Sequence, residues 1–405
     1  LLRMGIKEIH QEPIAIKYWE AKTWELEVET DAGLKDFPSF YIPYTGFTAE
    51  SGIEAEMVYV GTGRPQDFSG KDVKGKIVVG EVPFPTLPYG ALVKLLPTYY
   101  VSDPEKSIGF GFSEPLIFVR MNFLGYADQE SHPENDIYWS AVERGAAGIL
   151  LILKDQPTNS NTHYGPYDGI LKPMPGLWIG KYDGEKIRGL ALQKRRARLV
   201  LTGEVKDSVS HNIYGILPGV SERMIIIHSH HDGPFSGAIE DGAGCGQVLA
   251  QAAAWSKVPQ EKRPKTLLFL FTTGHFYGSI GSSTFASQHK NDLLKKADLI
   301  LTLEHIGAKE AREDQSHNYQ FTGHLELGGI FTAGQKYAIA SVIKMLKKHK
   351  IPRLMSVPLD FFGPAPPTDA AGFVLEPGLE VPVLSWITGP AYLLCAEDTL
   401  DKVQV

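Results

Sequence analysis

Met224-Ile225-Ile226-Ile227-His228-Ser229-His230-His231-Asp232-Gly233 begins as an apolar run and ends in imidazoles and a carboxylate. Phe269-Leu270-Phe271 runs in the same way into Thr272-Thr273-Gly274-His275-Phe276-Tyr277-Gly278, and Leu301-Thr302-Leu303 into Glu304-His305-Ile306-Gly307. Short apolar runs at 224–227, 266–271, 299–303 and 381–386 suit strands covered on both faces. Helical patterns lie between them, the clearest placing Ile339, Val342, Ile343 and Leu346 on one face. The expected fold class is α/β, a mostly parallel central sheet with helices on both faces. Ligands in such sheets sit beyond the carboxyl ends of the strands.

The stretch from about Glu50 to Val205 has another texture: short strands, turns, and dense Pro and Gly. One helix, Ile137–Arg144, leads there into the run Gly145–Leu153, read as a buried strand. The expected organisation is a discontinuous core, residues 1–45 and 206–405, with a β-rich unit at 46–205 inserted. At 405 residues, with 43% hydrophobic and 21% charged side chains, the composition is that of an ordinary globular protein and excludes disorder and coiled coil. A net charge of −7 argues against nucleic acid as the main partner. The one basic run, Lys194-Arg195-Arg196-Ala197-Arg198, reads as a solvated helix end.

Two cysteines, Cys245 and Cys395, exclude a disulfide framework and a four-cysteine zinc site. The uncharged stretch Thr266–His289 is broken by Gly, Ser, Thr and His after Phe271, so a buried strand and loop are expected rather than a membrane span. No signal segment is visible, and trimming at both ends is expected, which leaves the compartment open. A homo-oligomer is compatible with everything above. The aromatic stretch Leu87–Phe123 and the proline-rich Phe361–Pro367 read equally as cleft walls or as surface loops.

Imidazoles and carboxylates gathered at one sheet edge suit a borderline divalent metal such as zinc. His228-Ser229-His230 after a strand would equally suit an amidohydrolase barrel. No Gly-x-Ser-x-Gly elbow, phosphate loop or dinucleotide fingerprint is present.

The order of motifs decides between the two metal arrangements. It resembles the zinc aminopeptidase family that also contains glutamate carboxypeptidase, glutaminyl cyclase and the transferrin receptor. His230-His231-Asp232 is similar to that family's His-x-Asp, and Gly237–Gly244 to its Gly-Ala-x-Asp-Asn-x-x-Gly, with Glu240 on the Asp and Asp241 on the Asn. Gly278-Ser279-Ile280-Gly281-Ser282 is similar to the Gly-x-x-Gly-Ser after the catalytic Glu-Glu, and Leu303–Gly307 to Asp-Met-Ile-Gly. Glu397-Asp398-Thr399-Leu400-Asp401 is similar to the closing Glu-Asp-Thr-x-Asp. Residues 46–205 are similar to a protease-associated domain.

The departures carry as much information. The resemblance implies two metals, but the second Glu of Glu-Glu reads Phe276, and the late His falls on Leu393, Leu394 or Cys395. The first Glu, the family's general base, reads His275. What remains is one ion, most simply zinc, on His230, Glu304 and Glu240 or Asp241, with His228 or His305 in reserve and Cys395 as a candidate replacement ligand. His275 would serve as the base, and Asp232 would hold the His230 tautomer. The implied function is a metal-dependent hydrolase of an amide or related acyl bond in a small-molecule or short peptide-like substrate. The alternative is a non-catalytic, transferrin-receptor-like binding protein.

Overall fold

The computed structural model describes residues 1–84, 86–95, 97–109, 118–120, 136–166 and 168–404. Residues 110–117 and 121–123 of the aromatic-rich stretch lie outside them. Four parallel strands form the centre, in the order Lys265–Thr272, Ser221–His230, Ala297–Leu303, Val383–Thr388. Their alternation explains the continuous apolar runs. Leu267, Phe269 and Phe271 pack with Ile227, Val248 and Leu303 on one face. Leu268 and Leu270 pack with Ile226, Ile300, Phe285 and Phe373 on the other. A strand with period two that is buried on both sides must be apolar at every position. Each such Leu, Ile or Phe contributes about 1.5–3 kcal/mol of burial.

The helix Gly244–Ser256 covers the first face and Ile280–His289 the second. The helix Lys336–His349 buries Ala338, Val342 and Leu346, leaves Ile339 and Ile343 half-buried, and ends in Lys347, Lys348 and His349, where cations favour the helix dipole. Beyond Val383–Thr388 the sheet continues through Gly328–Thr332 and Leu354–Pro358.

Two long strands tie the molecule together. Glu8–Thr30 and Arg196–Leu217 pair antiparallel from Glu8↔Ile216 to Val28↔Ala197. One end of the ribbon pairs with Lys265–Thr272, the other with Ile53–Tyr59, where a second group of parallel strands begins. That group is Ile53–Tyr59, Ile77–Val82, Gly148–Leu153 and Gly176–Ile179, closed by Phe40–Tyr41. The strand Arg196–Leu217 runs across the boundary expected at 205/206, and Phe40–Tyr41, before the one expected at 45/46, pairs with Gly176–Ile179. Tyr100–Ser102 also returns to the core and pairs with Leu354–Pro358.

The basic run follows the end of the helix Lys181–Leu192 and opens the strand Arg196–Leu217, and acidic neighbours pair it: Arg195 with Asp31, Arg196 with Glu54 at 3.1 Å and Arg198 with Glu27 at 2.7 Å. Among the described residues no helix is long and apolar enough to cross a membrane.

Candidate metal centre

The carboxyl ends of the central strands supply the site. Ser221–His230 ends on His230, the loop after Lys265–Thr272 carries His275, and Ala297–Leu303 delivers Glu304 and His305. Glu240 comes from the turn Ala238–Ala243, where Glu240 and Asp241 leave helical geometry. Asp398 pins that turn by accepting the amides of Ile239 and Glu240, each at 2.9 Å, so the closing motif holds the candidate ligand loop. Gly244 follows where a Cβ would lie 2.4 Å from both the Asp241 carboxylate and the Leu303 carbonyl. Only glycine fits there.

His230, Glu240 and His305, all buried, place one ligand atom each within 4.8 Å of one another. His230 Nε2 lies 3.4 Å from Glu240 Oε1, and His305 Nε2 lies 2.5 Å from Glu240 Oε2. The opposite ring nitrogens fix the tautomers. His230 Nδ1 is 2.8 Å from the Asp232 carbonyl and His305 Nδ1 is 2.9 Å from the Thr388 carbonyl. A carbonyl only accepts, so both Nδ1 atoms donate, and in the neutral rings both Nε2 atoms present lone pairs to Glu240. His230 Nε2, His305 Nε2, Glu240 Oε1 and Glu304 Oε2 are all buried with no hydrogen-bond partner. Converging lone pairs of this kind require protons or a cation, and two imidazoles with one carboxylate make a known ligand set for catalytic zinc. The residues fit the metal.

The remaining expected residues are placed as follows. Asp241 accepts from Ser229 Oγ and from the amides of Gly244 at 3.2 Å and His305 at 3.0 Å, with His230 Nε2 at 3.9 Å. Glu304 is fully buried and accepts the Asp369 amide at 2.9 Å; it lies outside the three-residue set. Asp232 holds His230 through its carbonyl, while its carboxylate stays 3.8 Å away. His228 sits between Thr302 and Thr272 hydroxyls at 3.0 and 2.9 Å, and burial pushes it down to about 4, which suits a neutral structural imidazole. His275 stacks on His230, with centroids 4.1 Å apart and planes 6° apart. Its Nε2 is 3.7 Å from Glu240 Oε1, and its Nδ1 is 2.8 Å from Asp369. No motif pointed to Asp369, which lies 94 residues from its partner and two past the proline-rich stretch.

Phe276 packs with Ile239, Ala308, Tyr392, Leu393 and Leu394 in an apolar cluster. Cys395 is buried, with its Sγ 3.3 Å from Gln156 Nε2.

Charge shapes the metal-free site. Burial opposes a proton on His305, but Glu240 and Asp241 outweigh it and push the ring up to about 9. Burial likewise opposes a charge on His230, and Asp241, Glu240 and Glu304 hold it well above its ordinary value. Burial raises Asp241 and Glu304. All four groups bind protons more tightly folded than unfolded. Stability from His305 is therefore complete below about pH 6.5 and lost as pH rises towards 9. The unfolding temperature of zinc-free protein should fall across that window in calorimetry, and saturating zinc should remove the decline, because metal binding displaces the protons. A pH-independent zinc-free midpoint would contradict the charge assignment.

Residues 212–352 match the model of peptidase family M28. Among curated proteins, human transferrin receptor protein 2 is 24% identical over 66% of this chain and 35% of its own length. A probable glutamate carboxypeptidase of Arthroderma benhamiae is 22% identical over 72% of this chain and 45% of its own length. The chain thus spans less than half the length of these relatives. Among solved structures, a peptidase M28 precursor from Shewanella amazonensis superposes with a TM-score of 0.70 at 18% identity, covering 100% of this chain and 81% of that one. A zinc aminopeptidase from Bacillus subtilis gives 0.66 at 18% identity, covering 100% and 82%. The five motifs and the sheet agree with the match of residues 212–352 to the peptidase family M28 model, and the superposed structures share the fold.

Proposed function

We propose that the chain is a one-metal hydrolase of amide bonds in small-molecule or short peptide-like substrates. His230, Glu240 and His305 would hold the zinc, with Glu304 and Asp241 as buried acids around them. The observation that carries this is the convergence of both imidazole Nε2 atoms on Glu240, in a buried site whose ligand atoms lack hydrogen-bond partners. Zinc in such a site supplies a Lewis acid for the substrate carbonyl and lowers the pKa of a bound water towards about 7.

The chain's own residues supply the rest. His275 takes a proton at Nε2 from the attacking water and returns it to the leaving nitrogen. Burial and the neighbouring His230 oppose a proton on this ring, but Asp369 and Glu240 outweigh them and hold it above its ordinary value; a zinc bound beside it would oppose that proton. Phe276 and Tyr164, whose rings meet edge to face at 5.3 Å, wall one side with apolar surface.

A binding protein on the peptidase fold is the second reading, favoured by the apolar cluster around Phe276 and by the similarity to transferrin receptor protein 2. Zinc-loaded protein assayed on aminoacyl p-nitroanilides and on N-blocked peptide amides separates the two. Hydrolysis lost on chelation and restored by zinc is expected. No hydrolysis from a fully loaded protein would favour binding alone.

A further inference from the structure

We propose that Asp369 is a positioning residue that fixes His275 in the one tautomer and orientation able to accept a proton beside Glu240; this rests on the hydrolase assignment above. Asp369 is fully buried, and each of its polar contacts is directed. One carboxylate oxygen lies 2.8 Å from His275 Nδ1 and the other accepts from Thr272 Oγ1 at 2.5 Å. Its amide donates to Glu304 Oε1 at 2.9 Å. Thr272 is itself 2.9 Å from His228 Nε2, so the carboxylate is held at the end of a central strand rather than on a free loop.

An ionised carboxylate only accepts, so His275 Nδ1 carries the hydrogen and Nε2 is the acceptor nitrogen. Nε2 is also the ring nitrogen facing Glu240, at 3.7 Å. During turnover the Nδ1 proton stays on the ring, Asp369 stays ionised, and the transferred proton arrives and leaves at Nε2 alone. A histidine at the family's base position lacks a carboxylate's two equivalent acceptor oxygens. It works only if something selects the correct nitrogen, and Asp369 is placed to select it.

Asp369→Asn tests this with little change in shape. In D369N the new side-chain amide would give its N–H to His275 Nδ1 and keep its carbonyl oxygen for Thr272, which moves the ring hydrogen to Nε2. Nitrogen-15 spectra of histidine-labelled, zinc-loaded full-length protein, assigned with His275→Gln, read the tautomer directly. In wild type Nδ1 should be the protonated nitrogen, and in D369N it should be Nε2. On a p-nitroanilide that wild type cleaves, kcat should fall by about 10²–10⁴-fold, with KM and zinc content within about twofold, as expected when a base presents the wrong nitrogen. An unchanged tautomer in D369N, or an unchanged kcat, overturns the proposal. If D369N does not fold, wild type still decides, because an Nε2-protonated His275 there overturns it as well. If wild type cleaves nothing, the hydrolase assignment fails while the tautomer comparison still tests the positioning.

Discussion

Replacing Glu240 by Gln should remove zinc from the protein and abolish any amide hydrolysis with it. Glu240 faces both His230 Nε2 and His305 Nε2, and it is the acid of the three-residue set. Gln keeps the shape but removes the charge, leaving two imidazoles and a neutral amide for a dication. Losing a group that merely orients a ligand costs about 10–100-fold in metal affinity, so losing the ligand should exceed about 100-fold. Equilibrium dialysis against zinc measures it. Full zinc retention in E240Q would move the site to Asp241 and Glu304.

His275→Ala should lower kcat by about 10²–10⁴-fold with zinc content unchanged. The ring stacks on His230 but its Nε2 lies apart from the three-residue set, so its loss should strike chemistry rather than the metal. Rates on the same p-nitroanilide, beside zinc by elemental analysis, check both halves. A full rate would remove His275 as base, and a loss of zinc would make it a ligand.

The sheet was legible because strands buried on both faces must be apolar throughout, and their carboxyl ends announced themselves by the abrupt change at His228, Thr272 and Glu304. Which acid faces the histidines was not legible. Glu240 and Asp241 are adjacent, and only the pinning of their turn by Asp398 turns Glu240 inward while Ser229 and two amides occupy Asp241. The pair Glu304-His305 posed the same problem. The strand end buries both, but it is His305 whose Nε2 meets Glu240, because the Thr388 carbonyl from the neighbouring strand orients the ring.

Asp232 followed the motif in place but not in atom, since its carbonyl lies nearer the ring than its carboxylate. Asp369 was invisible because no local pattern links it to His275; the fold alone joins them. The long ribbon of Glu8–Thr30 and Arg196–Leu217 escaped for a related reason. A strand that leaves one sheet and enters another changes partners without changing its sequence texture.

Zinc counted per chain tests the central claim most directly. Full-length protein, stripped by chelation and reloaded at neutral pH, should hold about one zinc by elemental analysis, since one His-His-Glu set is present among the described residues and Phe276 lies in an apolar cluster. Two tightly held equivalents, or none under saturating zinc, would contradict it.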